Sequence, residues 1–95
     1  MARVEIAEDA VEDLATLIHS HSLPSDTTER IARTLALLER LPQLGAELGD
    51  RWAGTRFLLG PWRWMIIVYA FFADEDRVVV LTIQDGRSAA SPTGG

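Results

Sequence analysis

Residues 54–87, "GTRFLLGPWRWMIIVYAFFADEDRVVVLTIQDGR", are rich in β-branched and aromatic side chains, and two turn signals interrupt them, Gly60-Pro61 and Asp74-Glu75-Asp76. The run reads as a three-stranded antiparallel meander. Whatever precedes it has to pack on that sheet.

The upstream half supplies one strand and two helices. "RVEI", Arg3 to Ile6, alternates polar and apolar residues and predicts a short opening strand. From Glu8, the residues Val11, Leu14, Leu17 and Ile18 recur at helical spacing. Glu8, Asp9, Glu12 and Asp13 then lie on or near the solvent side, where their charge favours the helix N-terminus. "SHSLPS" breaks the pattern. Asp26 followed by Glu29 predicts a capped second helix, with Ile31, Leu35, Leu38 and either Leu37 or Leu41 as its buried stripe and Pro42 as its stop. The order β-α-α-β-β-β predicts an α+β domain, a helical hairpin packed on one face of a small, mainly antiparallel sheet. Residues 1–87 form that domain, and "SAASPTGG", residues 88–95, reads as a mobile C-terminal tail.

Composition limits what such a domain can do. The 95 residues suffice for one core, and 47% apolar content suits a globular fold. No apolar run reaches the roughly 20 residues that span a bilayer, and the acidic N-terminus has no signal-peptide pattern, so a cytoplasmic location is expected. The absence of cysteine removes disulfides, thiolate nucleophiles and zinc-thiolate sites. A net charge of -5 opposes non-specific binding to nucleic acid. All nine basic residues are arginines. Arginine clamps phosphate or carboxylate through a fixed fork of donors but is a poor proton carrier.

Tight turns predict a specific register. A two-residue turn at Gly60-Pro61 sets Leu59 opposite Trp62, Leu58 opposite Arg63 and Arg56 opposite Met65. A three-residue loop at Asp74 to Asp76 sets Phe71 opposite Val79, Tyr69 opposite Leu81, Met65 opposite Asp85 and Arg63 opposite Arg87. Arg56, Arg63 and Arg87 then share one face at one end of the sheet, with Asp85 as local counter-charge, and await an anion. A one-residue slip would dissolve the cluster. The same register puts Trp62, Trp64, Ile66 and Val68 beneath the helices with Phe57, Val78 and Val80. Met65, Ile67, Tyr69, Phe71, Val79, Leu81 and Ile83 are left on the uncovered face, for which a protein partner is the expected cover.

This ordered set resembles the RelE/ParE superfamily of toxins from type II toxin-antitoxin systems. "GPWRWMIIVYAF" is similar to the family's G-Y-R strand and "VVVLTIQDGR" to its closing strand, and the resemblance extends to Arg87. It implies a toxin neutralised by a cognate antitoxin in a hetero-oligomeric complex. Met65, Ile67, Tyr69 and Leu81 are then the expected antitoxin-binding residues, and Arg56, Arg63 and Arg87 the functional basic cluster. RNA-cleaving members act on messenger RNA in the ribosome. Where these often keep two lysines, this chain has Gly54 and Arg56; where they often have tyrosine or histidine after the closing arginine, it has Ser88, Ala89 and Ala90.

Cleavage through the RNA 2'-hydroxyl needs a base, an acid and charge stabilisation. The arginines supply the last of these; Asp85, Tyr69 and Glu47 are the titratable candidates nearby. The ParE branch, whose members inhibit DNA gyrase by binding, is the better fit. A ribosome-dependent endoribonuclease and a non-toxic interaction module with a decayed site are the alternatives. No cofactor is implied. His19 and His21 are spaced wrongly for a shared metal, and Trp52, Trp62 and Trp64 read as packing residues rather than base-stacking platforms.

Overall fold

The computed structural model describes residues 1–87; the tail expected at 88–95 lies outside them. The element order is β1 (Arg3–Ile6), α1 (Glu8–Ser20), α2 (Thr27–Arg40), β2 (Ala46–Glu47), β3 (Arg56–Leu59), β4 (Met65–Phe72) and β5 (Arg77–Asp85). One five-stranded sheet runs β1-β5-β4-β3-β2, antiparallel except where β1 pairs with β5. The expected α+β architecture is present. β2 is added to it, a strand of two residues and too short to show any periodicity.

Both helices depart from their sequence reading. Asp13 of α1 does not face solvent. β1 pairs with β5 only as far as Ile6 opposite Val80, which leaves the next stretch of the β5 edge without a strand neighbour. There the Asp13 carboxylate accepts from the Ile83 N–H at 3.2 Å and the Thr82 hydroxyl at 2.5 Å. In α2, Ile31, Leu35 and Leu38 are buried as expected, but Leu37 and Leu41 are exposed. Asp26 makes no side-chain cap; its carboxylate accepts from Arg30 Nε at 3.1 Å instead.

The two hairpins explain the larger corrections. Between β3 and β4 the turn is wider than two residues: Gly60 N–H donates to the Met65 carbonyl, and Leu59 pairs with Ile66, Leu58 with Ile67 and Arg56 with Tyr69. The register is displaced by four residues. Between β4 and β5 the expected pairing holds from Met65 opposite Asp85 to Val68 opposite Thr82, and then shifts. Leu81 is the extra residue of a bulge, after which Tyr69 pairs with Val80 and Phe71 with Val78. The bulge brings Val78, Val80 and Ile83, which strict alternation would divide, into one core with Met65, Ile67 and Tyr69.

That core lies under the helices, with Ala10, Leu17, Ile31, Leu35 and Leu38. Met65, Ile67 and Tyr69 are each 0% exposed. On β4 the helices therefore cover the residues that the sequence left uncovered, and Ile66 and Val68 lie on the opposite face, whereas Val78 and Val80 lie beneath the helices as expected and Trp62 and Trp64 pack against that core. The inversion has a physical cause. β4 is apolar on both faces, so its own alternation cannot choose between them, and only the arginines mark one face as charged. Arg63, whose place on that face sets the phase along β4, belongs with Trp62 and Trp64 to the connecting loop, where a period of two does not apply.

Candidate functional site

The three arginines expected to cluster do not come together. Arg56 stands opposite Tyr69, four residues along β4 from Met65, which is roughly 13 Å from the end where Arg87 lies. Its guanidinium donates to the carbonyls of Gln43 at 3.2 Å and Gly45 at 2.8 Å and to Glu47 Oε1 at 3.2 Å. Arg56 thus fastens the 43–47 segment to the sheet. Arg87 spends its fork on Asp85, with Nε 2.9 Å from Oδ1 and Nη2 2.8 Å from Oδ2. Arg63 is exposed in the β3–β4 loop and enters no side-chain hydrogen bond or ion pair among the described residues.

What the fold does assemble is an aromatic and charged cluster at the Met65–Asp85 end of the sheet. Trp62 and Trp64 stack at 6.2 Å between ring centroids, and His21, at the end of α1, stacks on Trp64 at 4.5 Å with 15° between the planes. The Arg30 guanidinium lies 5.4 Å over Trp62, and that of Arg87 lies 5.5 Å over Trp64. Backbone bonds hold the loop as well: Met65 N–H to the Trp62 carbonyl at 3.0 Å, and Gly86 N–H to the Trp64 carbonyl at 2.6 Å.

His21 joins helix to sheet. Its Nε2 is 3.1 Å from Asp85 Oδ2 and its Nδ1 2.9 Å from Ser20 Oγ. The Arg87 side chain, helped by the Arg87 backbone N–H, holds the Asp85 carboxyl well below the usual carboxylate range. Asp85 is therefore ionised and accepts only, so Nε2 carries the proton toward it. Both ring nitrogens are committed, and the imidazole acts as a strut. This pairing across 64 residues had no local signal in the sequence, where "HSH" could be weighed only as a metal motif. Among the described residues no group of three or more His, Cys, Asp or Glu could hold a metal ion.

Tyr69, expected on an exposed antitoxin-binding face with Met65, Ile67 and Leu81, is a core residue. Its hydroxyl accepts from the Gly45 N–H at 2.9 Å, and burial raises its pKa above the ordinary phenol value. Met65 and Ile67 are equally inaccessible, and Leu81 is the half-buried bulge residue. Accessible apolar surface lies elsewhere. A groove of about 270 Å³ runs between the helices, lined by Ile6, Val11, Leu14, Ala15, Ile18 and Thr28 among others. A second, of about 250 Å³, shares Ile6 and continues along Ala32, Leu35 and Ala36. Val11 is 55% and Ile6 46% exposed. No described helix is long and apolar enough to cross a membrane.

No protein-family model matches the sequence, and no curated protein matches it. Solved structures do. The toxin-antitoxin complex RelBE of E. coli superposes with a TM-score of 0.68 at 14% identity, over 93% of this chain and 100% of that one. The chromosomal ParDE system of P. aeruginosa gives 0.71 at 14%, over 92% and 98%. The RelBE2 complex of Mycobacterium tuberculosis gives 0.60 at 23%, over 88% and 96%. The chain has the fold these toxins share.

Proposed function

We propose that this chain is the toxin of a type II toxin-antitoxin system, neutralised by a cognate antitoxin, and that when free it inhibits growth by binding DNA gyrase in the manner of ParE. The observation that carries the choice of mechanism is how the arginines are used. Arg56 is spent on backbone carbonyls and Glu47, and Arg87 on Asp85, so the two do not converge on a phosphate. His21 bonds Ser20 and Asp85 through its two ring nitrogens at the Met65–Asp85 end of the sheet, whereas Arg56 stands opposite Tyr69. A binding inhibitor needs a surface and no proton transfer, and a surface is what the sheet end offers.

The antitoxin belongs on the helical hairpin rather than on the buried face of β4. The connected grooves accept the apolar side of an amphipathic helix, and the small residues Ala15, Ala32 and Ala36 let its backbone approach closely. Burying a half-exposed valine or isoleucine there contributes on the order of 1 kcal/mol each. Induction in a bacterial host tests the toxin reading: growth should stop, and co-expression of the antitoxin encoded in the adjacent reading frame should restore it. Unimpaired growth on induction of a folded, soluble chain would contradict the reading.

A further inference from the structure

We infer that the Trp62-Arg63-Trp64 loop is the element with which this chain grips its protein target, and that Arg63 binds a carboxylate there; this rests on the gyrase-binding reading above. Three observations carry it. Arg63 is exposed and, like Arg33, Arg40 and Arg51, has no side-chain partner among the described residues, but of these it is the one set between Trp62 and Trp64, and the other arginines of that cluster, Arg30 and Arg87, pair with carboxylates. The residues on either side of it are immobilised: Trp64 between His21 and Arg87, Trp62 against Trp64 and Arg30. Backbone bonds from Met65 and Gly86 to the two tryptophan carbonyls fix the loop at both ends. An unpaired guanidinium on a stiff aromatic mount loses little conformational freedom on binding, and tryptophan and arginine are the residues that dominate interface energetics.

Charge decides the ligand class. Asp26 and Asp85 flank the cluster through their pairs with Arg30 and Arg87, and the chain carries a net charge of -5. A nucleic acid strand would bring a row of phosphates against those carboxylates and that charge. A protein surface can present one carboxylate to Arg63, bound through both prongs of the fork.

The test measures equilibrium binding of the full-length chain to purified DNA gyrase and, separately, to a single-stranded RNA oligonucleotide, for wild type, Arg63→Glu, Arg63→Lys and Arg33→Glu. The last makes the same charge change at an exposed position on α2. Arg63→Glu should weaken gyrase binding by about tenfold or more, Arg63→Lys by less, and Arg33→Glu hardly at all, with unchanged thermal melting. Equal losses from Arg63→Glu and Arg33→Glu would reduce the effect to net charge and overturn the inference. So would Arg63-dependent binding of the RNA, which would make the loop a phosphate site. Wild type bound to gyrase with Arg63→Glu bound equally well overturns this inference and leaves the target reading standing; a wild type that does not bind gyrase overturns both.

Discussion

His21 Nε2 lies 3.1 Å from Asp85 Oδ2, and this one contact ties the end of the first helix to the end of the last strand. His21→Ala removes both that bond and the stack on Trp64, and should lower unfolding free energy by about 1–2 kcal/mol. His21→Phe keeps a ring on Trp64 and should recover part of the loss. Chemical denaturation of both variants is the check. No loss in His21→Ala would mean that the strut carries no load.

The pH profile has two limbs. Arg87 holds the Asp85 carboxyl below its ordinary range, so as pH falls past about 4 the unfolded chain takes up a proton that the native chain refuses. Stability is present above that pH and is lost below it. Burial raises the Tyr69 phenol, so above about pH 10 the unfolded chain gives up a proton that the native chain keeps, and stability falls as pH rises. Denaturation measured across both limbs should show each flattening in its own variant, Asp85→Asn on the acid side and Tyr69→Phe on the alkaline side. Unaltered limbs would assign the losses to other groups.

Gly45 has no room for a side chain. A Cβ there would lie 2.5 Å from the Phe57 carbonyl oxygen and 2.9 Å from the Tyr69 hydroxyl. Gly45→Ala should cost about 1–3 kcal/mol by pushing the 43–47 segment off the sheet and breaking the bond to Tyr69. A thermal melt equal to wild type would show that the segment shifts freely.

Under the proposed toxin function, antitoxin binding should depend on the helical hairpin. Ala15 lines the interhelical groove and is exposed, so Ala15→Arg leaves the core intact while filling the site. The variant should remain toxic on induction yet lose rescue by the antitoxin, with affinity weakened by about tenfold or more in a direct titration. Full rescue would move the antitoxin off this groove.

The architecture was legible because every element but the two-residue β2 has its own local signature: the spacing of Val11, Leu14, Leu17 and Ile18, the alternation in Arg3 to Ile6, and the β-branched runs around Asp74-Glu75-Asp76. The pairing of Met65 with Asp85 also followed from the sequence, and it is present. What could not be read was anything set by long-range geometry. The Leu81 bulge leaves no mark in "VVVLTI", yet it decides which β5 residues enter the core. Gly60-Pro61 signals a turn without fixing its width, and a loop running to Trp64 separates Arg63 from the strand on which the expected cluster depended. His21 and Asp85 meet only after folding, so the cluster at the sheet end had no motif to announce it.

The most direct test of the account is a supercoiling assay with the purified chain, DNA gyrase and relaxed plasmid, run beside an in vitro translation reaction in which message length is followed. Supercoiling should be inhibited, the antitoxin should reverse the inhibition, and the message should stay intact. Cleaved message together with unimpaired supercoiling would contradict it.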